Sequence, residues 1–183
     1  MEEEYTIYVS ELDFIEMYFV EMEFSEEEKE NRKSFAKDFF DNMIFVFYLF
    51  LLMKEYGYSN KELITNQLKK GYEETVKKYM ESDRYMQDYI EDFSKETTDI
   101  TEKHKGEKYY TSNERALIIS VNEANSSLNY KEFLEASKRG YTKKTWITEK
   151  DRKVRKTHSE VDRETIAIKE YFLVGDSLML FPK

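Results

Sequence analysis

Two histidines, His104 and His158, are the side chains best suited to acid–base chemistry or metal binding in this chain, which has no cysteine. On a short helix, Arg155 would lie three residues before His158 and Asp162 four residues after it, so the three would share one face and orient the imidazole. A metal site needs three or four convergent ligands, and Asp151, His158 and Asp162 supply at most three. We therefore expect a structural His158 and no metal site, with a catalytic or metal-binding histidine as the alternative, and a solvated His104.

Basic residues are concentrated near the C-terminus. Residues 138–157 hold nine bases and two acids, whereas residues 1–30 hold twelve acids and one base. Such a basic strip suits contact with phosphate or with an acidic partner, and a solvated surface is the alternative. It lacks a recognised DNA-binding motif and exposed stacking aromatics, so contact with DNA would be weak and non-specific. The residues expected to face a partner or phosphate are Lys143, Lys144, Lys150, Arg152, Lys153 and Lys156.

The alternating pattern of residues 141–148 predicts a half-buried strand with Trp146 in it. We expect this single tryptophan in the core, because burial of so large an aromatic side chain contributes strongly to stability. The chain contains neither G-x-x-x-x-G-K-[ST] nor G-x-G-x-x-G, which excludes nucleotide enzymes of those two kinds. We predict no cofactor.

The elements that position these residues begin with long helices. One proline and five glycines in 183 residues favour a helical fold. A first helix is expected within 5–24. The sequence Ser25-Glu26-Glu27-Glu28 is typical of a capping box, and it predicts a second helix that runs to about Tyr56 and stops at Gly57. The apolar run 43–53 is eleven residues long, against about 20 for a membrane span, so we interpret it as a core helix, with a membrane or interfacial helix as the alternative. The pattern of residues 59–62 predicts the start of a third helix.

A change of pattern follows in the second half of the chain. Residues 95–108 contain one large aliphatic residue, Ile100, and predict a mobile connection after a short helix at 85–93. Residues 111–114 predict the cap of a fourth helix that ends at Gly140. Strands are expected at 165–168 and 178–181, with a turn at 175–176. The predicted fold class is α+β: a helical N-terminal arm, residues 1–105, and a small α+β domain with a short antiparallel sheet, residues 110–183.

The second half of the chain resembles the head morphogenesis domain of tailed-phage minor head proteins, the phage Mu F-like family. The resemblance covers Glu114 to Pro182, and residues 56–62 also resemble members from phages of low-GC Gram-positive hosts. One part is the helix pattern R-A-x-x-I-x-x-x-E, which is Arg115, Ala116, Ile119 and Glu123 here. Another is K-x-W-x(4)-D-x-K-V-R-x-x-H, which contains Lys144, Trp146, Asp151, Val154, Arg155 and His158. The remaining matched residues are Asp162, Thr165, Phe172, Gly175, Ser177, Leu178, Phe181 and Pro182.

The resemblance implies a structural minor capsid protein rather than an enzyme. Members of the family associate with the portal protein and the capsid interior, help to assemble the head, and assist the packaging or ejection of DNA. The resemblance therefore implies location in the phage head, and in the host cytoplasm during assembly, without a membrane. It also implies non-specific contact with packaged DNA. The residues expected to hold the small domain together are Trp146, Asp151, Arg155, His158 and Asp162.

The chain departs from the family pattern in two places. Arg163 stands where the family usually has glycine, one residue after the position of Asp162. The family usually continues beyond Pro182 into a cysteine-containing tail, so we expect either a C-terminally truncated domain or a fragment, and no closed metal site. Two other functions stay open: an enzyme or effector domain centred on His158 and delivered with phage DNA, or a DNA-binding accessory protein.

Overall fold

A computed structural model describes residues 10–20, 22–148 and 155–182 of the chain. The helices are α1 (Glu11–Val20), α2 (Glu26–Glu55), α3 (Lys61–Tyr79), α4 (Arg84–Lys103), α5 (Asn113–Lys138) and α6 (Lys156–Glu160), with a 3-10 turn at Lys108–Thr111. The strands are β1 (Lys143–Thr145), β2 (Thr165–Ala167), β3 (Phe172–Val174) and β4 (Ser177–Met179). β1 pairs with β2 and β3 pairs with β4, both antiparallel. The predicted α+β class, with a long helical N-terminal region and short antiparallel pairing at the C-terminal end, is confirmed.

The capping signals place the helix starts. Ser25 accepts the backbone N–H of Glu28, and the carboxylate of Glu28 accepts the backbone N–H of Ser25 at 2.8 Å, which is the predicted capping box of α2. The helix ends before Gly57, whose φ of 65° lies in the left-handed region that glycine favours. In a capping box formed by residues 59–62, Ser59 would cap α3, but the observed cap lies one residue later. Its cap is Asn60, because the amide oxygen of Asn60 accepts the N–H of Leu63 at 3.0 Å.

The central element is α2, against which α1, α3 and α5 pack. Its apolar run is buried through Met43, Val46, Phe47 and Phe50, as expected of a core helix. Farther toward its N-terminus, aromatic rings from neighbouring helices meet. The ring of Phe39 lies 4.4 Å from that of Tyr72 in α3 and 6.0 Å from that of Phe93 in α4. The high aromatic content of the chain therefore fills the space between these helices.

None of the helices in the described part of the chain is both long enough and apolar enough to cross a membrane.

The prediction of a mobile connection at residues 95–108 is wrong over most of its length, because α4 continues to Lys103. The buried face of this stretch consists of small hydroxyl side chains instead of aliphatic ones. They are Ser94, Thr97, Thr98 and Thr101. The hydroxyls of Thr98 and Thr101 each donate to the carbonyl four residues earlier, at 2.7 Å, so their burial leaves these groups satisfied. A search for large apolar residues misses a helix face of this kind.

The expected division at residues 105–110 does not coincide with a break in the hydrophobic core. Helix α5, which follows that point, packs along α2. Its buried residues Ala116, Leu117, Val121, Ala124 and Leu128 belong to the same core as those of α1 to α4. A second, smaller core contains Trp146, Val161, Phe172 and Val174. The change in packing therefore comes after Gly140, and we refer to residues 141–182 as the C-terminal unit and to the helices before it as the helical layer.

A buried polar cluster joins three helices of the layer. Glu123 of α5 is 7% exposed, and its Oε2 accepts hydrogen bonds from the hydroxyls of Tyr72 at 2.5 Å and Tyr89 at 2.9 Å. The Tyr72 hydroxyl also lies 3.0 Å from the hydroxyl oxygen of Ser127. Burial, together with the charge of Glu123, raises the pKa of Tyr72 well above its usual value. The carboxylate thus holds α3 and α4 against α5.

Substitution Glu123→Ala should lower the free energy of unfolding by about 3 kcal/mol, because two buried hydroxyls lose their acceptor and each such loss costs about 1–3 kcal/mol. Urea denaturation followed by circular dichroism measures the change. Glu114→Ala, at an exposed position of the same helix, is the matched control and should change stability by less than about 0.5 kcal/mol. Equal effects of the two substitutions would contradict a structural role for the buried carboxylate.

Candidate functional site

The C-terminal unit begins where Gly140, with a φ of 81°, ends α5. β1 and β2 pair in a register that places Lys144 opposite Ile166. Hydrogen bonds extend this pairing by one residue, since the N–H of Trp146 donates to the carbonyl of Glu164 at 2.9 Å and the N–H of Arg163 donates to the carbonyl of Trp146 at 2.8 Å. The backbone of Trp146 is thereby fixed with its side chain toward the interior.

The indole of Trp146 forms the centre of the smaller core. It is 2% exposed. The rings of Phe172 and His158 pack edge-on against it, with centroid distances of 5.2 Å and 5.6 Å. Val161 and Val174 complete the cluster. Two residues of the family pattern, Trp146 and His158, are therefore in direct contact, and both belong to the packing of the unit.

His158 lies on α6 and is half-buried. Burial and then the charge of Arg155 hold the pKa of His158 below its usual value, which favours the neutral imidazole. The expectation that Arg155, His158 and Asp162 share one helix face is wrong, because α6 spans only Lys156–Glu160 and Arg155 is its N-cap residue. Asp162 lies beyond the helix, and its Oδ1 accepts the backbone N–H of Thr148 at 2.9 Å.

Arg163 adopts a left-handed backbone conformation, with a φ of 67°. It is the one non-glycine residue with positive φ among the described residues. In the family that the sequence resembles, glycine usually stands at this position, and a positive φ is a conformation that glycine adopts without strain. An L-residue in this region is disfavoured by about 1–2 kcal/mol.

The basic residues of the predicted partner-facing set are not equivalent. Lys143 and Lys156 are exposed, as is the neighbouring Arg155. Lys144 differs from its prediction, because its Nζ donates to the carbonyl of Leu180 at 2.6 Å and lies 5.3 Å from the ring centres of both Phe133 and Phe172. Burial lowers its pKa. Lys144 therefore joins the C-terminal unit to α5 instead of facing a partner. The remaining predicted residues, Lys150, Asp151, Arg152 and Lys153, lie outside the described residues, as does Val154.

The end of the chain anchors the unit to the helical layer. Phe181 is buried, and its ring lies 5.4 Å from that of Tyr130 in α5. The side-chain amide of Asn129 donates to the carbonyl of Pro182 at 2.9 Å. The Phe181-Pro182 pair of the family pattern thus has a packing role against α5.

Arg115 and Glu123, the two charged residues of the helix pattern, also make internal contacts. Nη1 of Arg115 donates to the hydroxyl of Thr101 at 2.8 Å and to the carbonyl of Tyr110 at 2.6 Å. Its guanidinium carbon lies 5.2 Å from the centre of the Phe47 ring. Glu123 binds the two tyrosine hydroxyls described above. The R-A-x-x-I-x-x-x-E pattern therefore positions α5 within the layer.

Sequence reasoning missed Arg32, which is fully buried between α2 and α5. Its guanidinium donates to the Glu132 carboxylate at 2.6 Å and to the side-chain oxygens of Asn125 at 3.2 Å and Asn129 at 3.0 Å. The ring of Phe24 lies 3.9 Å from the guanidinium carbon. Arg32 stands in a run of charged residues, so the sequence offers no local signal of burial.

His104, which we expected to be solvated, is stacked on the ring of Tyr110 at a centroid distance of 4.3 Å. Its Nδ1 lies 2.7 Å from Oε1 of Glu107.

No group of three or more histidine, aspartate or glutamate side chains that could hold a metal ion occurs in the described ranges. The residues discussed above instead make internal contacts that fix the C-terminal unit on the helical layer.

The chain matches no protein-family model, and neither a curated protein nor a solved structure shows significant similarity to it.

The lowered pKa of His158 predicts a pH dependence of stability. The folded-state pKa lies below the unfolded value of about 6.5, so the unfolded chain takes up the proton first as the pH falls. The stability of the C-terminal unit should therefore be fully present above about pH 6.5 and decline below it. Unfolding followed by Trp146 fluorescence should show this decline in the unmodified protein and in His104→Gln, but a smaller decline in His158→Gln.

An identical decline in His158→Gln would contradict the assignment of this pH dependence to His158. A melting temperature that falls with EDTA and recovers with Zn²⁺ in the unmodified protein, but not in His158→Gln, would instead establish a metal-binding histidine.

Substitution Arg163→Gly should stabilise the protein by up to about 1 kcal/mol, because the relief of the left-handed strain exceeds the added flexibility of the unfolded chain. Arg163→Ala is the matched control, since it removes the same side chain but keeps a Cβ, and it should give no gain. The midpoint of urea unfolding, followed by Trp146 fluorescence, measures both variants. A gain of equal size in Arg163→Ala would show that the side chain, and not the backbone, causes the effect.

Proposed function

We propose that the protein is a non-enzymatic structural component of a tailed-phage head, associated with the portal protein and the capsid interior during head assembly. The observation that supports this proposal best is that the residues matching the family pattern make contacts inside the protein. Arg115, Glu123, Trp146 and His158 all make contacts within the protein. These contacts account for the four residues as parts of the fold, which favours a structural protein over one that uses them at a catalytic site.

The alternative of an enzyme centred on His158 finds less support. An acid–base catalyst must lie within hydrogen-bond reach of its substrate and have a pKa suited to its task. The imidazole of His158 instead packs edge-on against Trp146. Asp162, the residue expected to orient it from the same helix face, lies past the end of α6 and accepts a hydrogen bond from the Thr148 backbone.

The charge distribution supports an acidic partner for the C-terminal unit. The unit, residues 141–182, contains nine bases and seven acids, a formal charge of +2, so the remaining residues carry −11 in a chain of net charge −9. Lys143, Arg155 and Lys156 are exposed on this unit. A positive surface on an otherwise acidic protein directs an encounter with a negative one and disfavours the reverse orientation. We propose that this surface contacts the portal protein, with weak and salt-dependent contact to packaged DNA.

Charge reversal at Lys143 and Lys156 should abolish co-purification with the portal protein encoded in the same phage genome, because it removes exposed positive charge without changing buried contacts. The double variant Lys143→Glu/Lys156→Glu is compared with Lys70→Glu/Lys77→Glu, which makes the same change of charge at exposed positions of α3. Affinity purification after co-expression is the measurement, and circular dichroism confirms that both variants fold.

The control variant should bind portal protein as the unmodified chain does. Retention of binding by the Lys143/Lys156 variant, or equal loss in both variants, would contradict the proposed contact surface. A lack of binding by the unmodified protein would contradict the proposed partner.

A further inference from the structure

The end of the described chain belongs to a different hydrophobic core from the unit that carries it. Phe181 is buried in the core of the helical layer, and Leu180 packs against that core. The smaller core of the C-terminal unit, around Trp146 and Phe172, contains neither of them. The chain therefore leaves its own unit after β4 and inserts its end into the layer. We refer to Leu180, Phe181 and Pro182 as the strap.

The strap lies in a groove of aromatic rings on α4 and α5. The ring of Phe181 lies 5.4 Å from that of Tyr130 and 6.3 Å from that of Phe133, both on α5. Tyr85 of α4 is a third neighbour, also at 6.3 Å. Phe181 is 7% exposed, so burial of its ring is a principal attachment of the unit to the layer.

Away from the strap, the C-terminal unit and the helical layer are largely separate bodies. Among the described residues, α6 and the four strands pack chiefly on one another, and α1 to α5 pack chiefly on one another. The chain passes between the two bodies through residues 139–142, which are exposed. A Cβ at Gly140 would meet no atom within 4 Å. The connection is therefore uncrowded, and a rotation there is not blocked by neighbouring side chains.

Lys144 stands where the two bodies meet, but its partners lie mainly on the side of the unit. Its Nζ donates to the carbonyl of Leu180 at 2.6 Å and lies 5.3 Å from the centre of the Phe172 ring. Both of these contacts move with the unit. Its contact with the Phe133 ring of α5, also at 5.3 Å, is the one that separation would break. Separation therefore leaves the ammonium with a hydrogen-bond acceptor.

The hydrogen bond that Asn129 makes to the strap is replaceable. The side-chain amide of Asn129 donates to the carbonyl of Pro182, while its oxygen accepts from Arg32 within the layer. Asn129 is partly exposed, so water can take the place of the Pro182 carbonyl. The main loss on separation is therefore the burial of Phe181.

We propose that the strap is a latch, and that the C-terminal unit swings away from α4 and α5 as one body about residues 139–142 when the strap leaves its groove. The core around Trp146 stays intact in this movement, because the strap is not part of it. A few connecting residues absorb the change, as in other hinged proteins. The movement takes place within one chain, so the inference is independent of the proposed association with portal protein.

The groove is suited to the strap of its own chain. A tether of a few residues gives the strap a high effective concentration at the groove. A strap from another molecule would lose translational and rotational freedom on binding, and one buried ring with one hydrogen bond does not offset that loss. The two states are therefore a closed monomer and an open monomer.

The distance between spin labels on the two bodies measures opening. The chain contains no cysteine, so Asn122→Cys on α5 and Lys169→Cys on the unit, both at exposed positions, are labelled without interference. The labelled full chain should give one narrow distance distribution. Phe181→Ala should raise the ratio of open to closed molecules at least about 10²-fold, the factor expected for loss of a buried phenyl ring, and should add a second, broad distribution. The emission of Trp146 should stay that of a buried indole.

Two further variants complete the test. Leu178→Ala shortens a side chain of the same hairpin that is 69% exposed, and it should leave the narrow distribution unchanged. Phe181→Leu keeps an apolar side chain in the groove, so it should fold even if Phe181→Ala does not, and it should give an open fraction between those of the unmodified and alanine forms. A broad distribution in the labelled chain without further change, a narrow one in Phe181→Leu and Phe181→Ala, or equal broadening in Leu178→Ala would overturn the proposal. Emission of an exposed Trp146 in Phe181→Leu would also overturn it, because the strap would then be part of the fold of the unit.

Discussion

The position of the C-terminal unit depends on the contact between α2 and α5, and a buried arginine specifies that contact. Arg32 reaches across from α2 to Glu132, and to Asn129, which in turn binds the carbonyl of Pro182. Burial lowers the pKa of Arg32 and raises the pKa of Glu132, so for both groups the loss of hydration outweighs their mutual attraction. Arg32 is fully buried, whereas the side chain of Glu132 is 44% exposed, so the ion pair lies at the edge of the helix contact and its hydrogen bonds tie the two helices together there.

Polar groups inside the helical layer explain why the family-pattern residues lie where they do. Arg115 and Glu123 lie two turns apart on α5 and join it to different neighbours, one to the end of α4 and the following turn, the other to Tyr72 and Tyr89. These bonds fix α5, and α5 in turn carries the aromatic residues on which Phe181 packs. The C-terminal unit, with Trp146 at the centre of its core, is therefore held on α5. This arrangement is suited to presenting a surface to a partner.

Local sequence signals predict much of the fold, and each feature that they fail to predict has a physical reason. The capping box at Ser25 and the glycines after α2 and α5 act over a few residues, so the sequence alone predicts them. The buried face of α4 near its C-terminal end consists of hydroxyl side chains, so a search for large apolar residues does not detect it. Lys144 lies two residues before Trp146, so the alternating pattern already places it on the inward side of the strand. Its positive charge led us to predict an exposed position instead. The partner of Asp162 and the burial of Arg32 depend on tertiary contacts, which no local pattern predicts.

The central claim is that this chain is a structural part of a phage head, and mass spectrometry of purified particles tests it most directly. The account implies that a tailed phage encodes the chain, so particles of that phage are separated into heads and tails, and the amount of the protein is compared with that of portal protein in each fraction. The account predicts that the protein is retained in washed heads at a constant ratio to portal protein. A protein found in the lysate of infected cells but not in the purified heads would contradict it.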